Sequence, residues 1–155
     1  FKAKDEAEYK QIAADLLKGS DVIIAQEYIY TEFDWRIGVL AGKALFACKY
    51  FMAKNHWQII DQKKDKNQTV FGDSAAVPLE SVPAAVLDTA IRAANLIGNG
   101  FYGVDLKESG RRTYVIEVND NPSIDVGCED LILKDKLYEI VIKDFKRRMD
   151  ALHGK

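Results

Sequence analysis

Three oxygen-bearing side chains in the last third of the sequence, Asp105, Glu117 and Asn119, are spaced so that they could hold a cation together. Asp105 lies in Phe101-Tyr102-Gly103-Val104-Asp105-Leu106, and the other two in Tyr114-Val115-Ile116-Glu117-Val118-Asn119. Side chains alternate between the two faces of a strand. As strands, these segments put Ile116 and Val118 on one face and Glu117 and Asn119 on the other. Val104 and Leu106 likewise oppose Asp105, and Gly103 leaves room beside it. Two carboxylates and an amide oxygen then share one side of a sheet whose other side is core. Hard oxygen donors of this kind suit Mg²⁺, which takes one or two carboxylates and usually the phosphates of a nucleotide as well. The same alternation also fits the solvated face of a half-buried hairpin.

A basic pair lies upstream. Trp35–Ala41 and Ala44–Met52 read as two strands, with Gly42-Lys43 as a Gly-X turn of the II′ kind. Ala41 then faces Ala44, and Arg36 faces Lys49. Like charges opposed across a ladder are destabilising, so a triphosphate held between them would explain their presence, and the empty protein would be strained. Two long side chains splaying into water would give the same pattern.

The elements that position these residues follow from periodicity and punctuation. Asp5 can cap a helix running to about Leu17, with Ile12, Ala13 and Leu16 inward and Gly19 ending it. Residues 22–29, apolar and β-branched, read as a buried strand. Residues 56–61 read as a further strand, and the polar stretch 61–76 as a mobile loop. Ser81 and Pro83 start a second helix that ends at Gly98. The hairpin carrying Asp105 and Glu117 follows, turning at Ser109-Gly110, and an amphipathic helix spans about 136–152. No repeat, linker or internal boundary is evident. Antiparallel strands with segregated helices make the class α+β.

At 155 residues and 48% hydrophobic content, the chain can form a real core. The net charge of -2 gives no general attraction to nucleic acid or to a membrane. Cys48 and Cys128 are far apart and lack metal or redox spacing, so a reducing cytoplasm is expected. No apolar run reaches spanning length. Phe1 is not an initiator Met, which suggests a piece of a longer protein.

Gly103-Val104-Asp105, followed by Val115-Ile116-Glu117-Val118-Asn119 and Pro122, resembles the metal-binding signature of ATP-grasp carboxylate–amine ligases. Gln26-Glu27-Tyr28-Ile29, followed by Asp34-Trp35-Arg36-Ile37, is similar to their nucleotide hinge. The resemblance runs from about Val22 to Val126 and favours the RimK-like branch, the ribosomal-protein glutamate ligases. It implies the C-terminal lobe of an ATP-grasp domain, a mostly antiparallel sheet flanked by helices. Residues 1–29 would be the end of the smaller lobe, with an upstream lobe and an N-terminal domain missing.

By the same resemblance, Gln26, Glu27, Tyr28 and Ile29 meet the adenine. Asp34 lies near the ribose position, where Glu32 would serve equally. Arg36 and Lys49 act on phosphate. Asp105, Glu117 and Asn119 hold two Mg²⁺ ions, or Mn²⁺, with Glu117 bridging. The reaction implied joins a carboxylate, activated as an acyl-phosphate by ATP, to an amine. The expected partners are an amino acid such as glutamate and a protein or peptide carboxylate, without nucleic acid or membrane; a homo-oligomer is left open. Relatives usually carry a Gly at or just after Ser123, so the acceptor pocket departs from the pattern. His56 and Trp57 have no assigned role. A regulatory ATP-binding module and a metal-dependent interaction domain are the rival classes.

Overall fold

The computed structural model describes residues 1–53, 58–62 and 69–154, in two units, Phe1–Tyr30 and Thr31–Lys155. His56 and Trp57 lie outside the described residues.

In the first unit, helix α1 spans Glu6–Leu16. Asp5 caps it from an extended backbone, its Oδ1 accepting the Glu8 N–H at 2.8 Å. The helix stops before Gly19, at Leu17, and buries none of its residues. The expected strand at 22–29 does not form, and Val22 and Ile24 are 76% and 85% exposed. A strand needs a ladder partner for its backbone groups, and this unit contains none.

The second unit is built on a five-stranded sheet of β1 (Phe33–Leu40), β2 (Lys43–Phe51), β5 (Ser74–Ala76), β6 (Phe101–Ser109) and β7 (Arg112–Asn119). Their spatial order is β5-β2-β1-β6-β7, every pair antiparallel. A separate pair joins β3 (Ile60–Gln62), which overlaps the strand expected at 56–61, to β4 (Thr69–Phe71); β4 and β5 both fall in the stretch expected to be a loop. Strand propensity at Thr69, Val70 and Phe71 outweighs the polar composition around them.

The β1–β2 hairpin turns at Ala41-Gly42, one residue earlier than expected, with φ of 50° and 74°. Two positive φ values make the I′ geometry that matches strand twist. A bulge follows, since Val39 faces Ala44 but Gly38 faces Phe46, leaving Leu45 over. Gly38 is needed there, because a Cβ would come within 2.3 Å of the Phe46 ring. The second hairpin turns at Gly110-Arg111, not Ser109-Gly110, with Gly110 at φ 62°.

Helix α2 (Ala84–Ile97) follows a 3-10 turn at Leu79–Ser81; Pro83, not Ser81, stands at its N-cap, and Gly98 ends it. Val86, Ala90 and Ala94 pack on one face of the sheet, against Trp35, Ile37, Val39, Val104 and Leu106. The other face carries a smaller cluster in which Phe46 and Cys48 meet Cys128 and Leu137, the latter from helix α3 (Asp135–Leu152).

Candidate functional site

The face of the sheet away from α2 collects the polar side chains. On β1, Arg36 stands opposite Cys48 of β2 and Asp105 of β6. Its Nε and Nη2 donate to the two oxygens of Asp105, both at 2.7 Å, a planar two-point pair. Both side chains are about four-fifths buried, at 19% and 21% exposure. Those hydrogen bonds hold the Arg36 guanidinium protonated beyond even its usual range, against the opposing effect of burial.

The expected Arg36–Lys49 pairing does not occur. Lys49 faces Trp35, so it lies on the α2 side, with Nζ 4.2 Å from the Phe33 ring centroid and 4.9 Å from that of Trp35. The bulge and the shifted turn move Lys49 to the opposite face. The expected strain of the empty protein therefore has no basis, because Arg36 is neutralised by Asp105.

Asp34 and Lys107 form a second pair on the polar face. Lys107 Nζ donates to Asp34 Oδ1 at 2.5 Å and to Thr31 Oγ1 at 2.8 Å, and Thr31 Oγ1 donates to the same Asp34 oxygen at 2.8 Å. This ties the start of β1 to β6, so one oxygen of Asp34 is already engaged.

β7 supplies the remaining donors. Glu117 faces Asp105 across the ladder, and Asn119 faces Gly103, so all three expected ligands share this face. A bulge at Ile116 interrupts the expected alternation, while Val118 packs on the α2 side. Gly103 is required: a Cβ there would come within 2.9 Å of Pro122 Cβ, which folds back over it. Asn119 Oδ1 accepts the Asn121 N–H at 2.9 Å, fixing that turn.

A buried network that the sequence does not announce lies beside Arg36. The guanidinium sits 5.4 Å from the centroid of the Tyr50 ring, and the Tyr50 hydroxyl donates to Glu129 Oε1. Glu129 is 1% exposed, and its Oε2 accepts the Asp125 N–H at 2.9 Å. The Cys128 thiol donates to the Tyr50 oxygen at 3.5 Å. Burial, reinforced by Glu129, raises the Tyr50 pKa far above its ordinary value. Burial chiefly, with Cys128 and Glu129 nearby, does the same for Cys48. No local pattern around Glu129 announces this; only the return of the 125–129 segment onto β2 creates it.

The donor set suits a hard divalent cation. Among the described residues no three His, Cys, Asp or Glu side chains cluster, so a three-donor set on this face would need the Asn119 amide oxygen beside the two carboxylates. A carboxylate has about four lone-pair sites, and Arg36 uses two on Asp105, leaving the rest for a cation.

No protein-family profile matches the chain, and no curated protein matches it in sequence. Among solved structures, the D-alanine–D-alanine ligase of Bacillus anthracis superposes with a TM-score of 0.61 at 14% identity, over 95% of this chain and 51% of that one. The fold is shared with ATP-grasp ligases. The ATP-grasp ligase PsnB with a minimal precursor gives a TM-score of 0.43 at 24% identity, over 61% of this chain and 27% of that one. PsnB with a phosphomimetic variant of that precursor, Mg and ADP gives 0.43 at 22% identity, over 72% and 34%. The chain thus spans about half the length of the Bacillus anthracis enzyme. No helix among the described residues is long and apolar enough to cross a membrane.

Proposed function

We propose that this chain supplies the nucleotide- and metal-binding part of an ATP-dependent carboxylate–amine ligase. The observation that carries this is the convergence of Arg36, Asp105, Glu117 and Asn119 on one sheet face, within a fold shared with such ligases. Asp105, Glu117 and Asn119 would hold Mg²⁺. When bound, it neutralises charge on the β- and γ-phosphates as the phosphoryl group moves to a carboxylate. Arg36 commits two of its five N–H donors to Asp105, so three remain for a phosphate or acyl-phosphate oxygen. Its orientation is set before any ligand arrives, which is how positioned charge lowers a barrier.

Gln26, Glu27, Tyr28 and Ile29 would offer backbone edge to the adenine, and the second oxygen of Asp34 a ribose contact. Residues 1–29 would belong to the smaller lobe of an ATP-grasp domain. Within this reading the kinship is RimK-like, with an amino acid such as glutamate as amine and a protein or peptide as carboxylate, in a cytoplasmic setting. That step is analogy from motif to substrate.

The test is product analysis of the full-length protein with Mg·ATP and mixed amino acids. An amide product with ADP and phosphate is expected, and Glu117→Gln should abolish it, since the exposed Glu117 carries no packing. Turnover unchanged in Glu117→Gln would remove the metal role. ATP bound but never cleaved would point to a regulatory module instead.

A further inference from the structure

We propose that α3 is a self-association helix, along which two copies of this chain pair antiparallel. Five apolar side chains on it face solvent: Tyr138, Ile142, Phe145, Met149 and Leu152, exposed by 36, 64, 42, 59 and 84%. Their intervals are four, three, four and three residues. This alternating spacing of four and three is the a/d pattern of a seam that a second helix can fill. The chain's own core uses a neighbouring stripe, Leu137 and Val141, at 0% and 7% exposure. From Phe145 onward the helix buries no residue against its own sheet.

The flanks select the occupant. With Ile142 and Met149 as a positions and Tyr138, Phe145 and Leu152 as d positions, Glu139 and Lys146 hold the e positions and Val141 and Arg148 the g positions. Parallel pairing sets g against e and would oppose Val141 to Lys146 and Arg148 to His153, with no complementary charge. Antiparallel pairing sets e against e, so when Ile142 layers on Phe145 of the second copy, Glu139 meets Lys146 of that copy. The two-fold axis repeats the contact, giving two opposite-charge pairs from one register. Glu139 now bonds Lys143, and Lys146 bonds Asp150, each within the helix; Glu139 and Lys146 are themselves 61% and 73% exposed, so re-pairing costs little.

Sedimentation equilibrium of the 155-residue chain tests this, with far-UV circular dichroism to confirm folding. A concentration-dependent dimer is expected. Phe145→Glu should weaken it by about tenfold or more, since it puts a charge in the seam. Glu139→Lys and Lys146→Glu should each weaken it at low salt, and the double exchange should restore it. A monomer up to roughly millimolar concentration, a dimer indifferent to Phe145→Glu, or a double exchange that fails to rescue would each overturn the proposal. A monomer that binds anionic vesicles would assign the stripe to a membrane surface, and would overturn it equally.

Discussion

The two faces of the central sheet solve the same burial problem with opposite chemistry. Against α2, Ile37, Val39, Val104 and Leu106 are fully buried and carry no side-chain polar atoms. One residue along each strand, the other face holds Arg36 with Asp105, Lys107 with Asp34, and Tyr50 with Glu129. The first face draws its stability from removing apolar surface from water. The second gains little net stability, because desolvation of each charge offsets most of its pairing. What it gains is position: each charged group is held in one orientation by a partner. A sheet can therefore be firm on one side and chemically prepared on the other.

The largest effect should come from the apolar face. Ile37→Ala removes a side chain at 0% exposure and should cost about 2–5 kcal/mol in denaturant melts. Asp105→Ala comes next, because it leaves Arg36 Nε and Nη2 without their acceptor. With both groups about a fifth exposed, the cost should be about 1–3 kcal/mol. A cost near zero would mean that water replaces Asp105 freely. Arg36→Gln should also destabilise the empty protein, which is the opposite sign from a clash with Lys49.

Alkaline pH separates the faces further. Cys48 has its folded pKa raised by burial, so its contribution is fully present below the ordinary thiol value of about 8.5 and is lost as pH rises through the folded value. Over that range the unfolded chain releases a proton that the folded chain keeps, and stability falls. Melts between pH 8 and 10 (about that range, from the thiol reference value) should show a flatter decline in Cys48→Ala than in the parent. The smallest effect should be Lys49→Gln, which removes only contacts to the Phe33 and Trp35 rings and should cost about 0.5–1 kcal/mol. A gain in stability would mean Lys49 is under repulsion after all.

Much of the second unit can be read directly from the chain. The alternation around Asp105 and Glu117 puts both carboxylates on one face because period two is imposed by strand geometry itself. Gly98 ends α2, and the last helix starts within a residue of where its apolar spacing begins. What was illegible has a common origin in tertiary contact. Nothing local says that Ala41 will take a left-handed backbone, so sequence alone puts the β1–β2 turn one residue late. Nothing local says that Leu45 will be left out of the ladder. The apolar run at 22–29 has strand composition, but composition cannot supply a partner. Glu129 becomes part of the site only because a distant segment returns to Tyr50.

The spare residue in β2 also gives this hairpin an unusual tolerance to changes in length. Deleting Leu45 would let Ala44 and Phe46 follow one another in an unbroken ladder, with Arg36 still beside Cys48 and Trp35 still beside Lys49. A deletion between Phe46 and Lys49 that kept the bulge would instead trade the two sides of the strand beyond it, sending Lys49 toward the charged face with no change in its own identity. A length difference at Leu45 between this chain and a relative would therefore keep the register of Arg36, Cys48 and Lys49, at the cost of the packing of Leu45 on the cluster of Phe46 and Leu137.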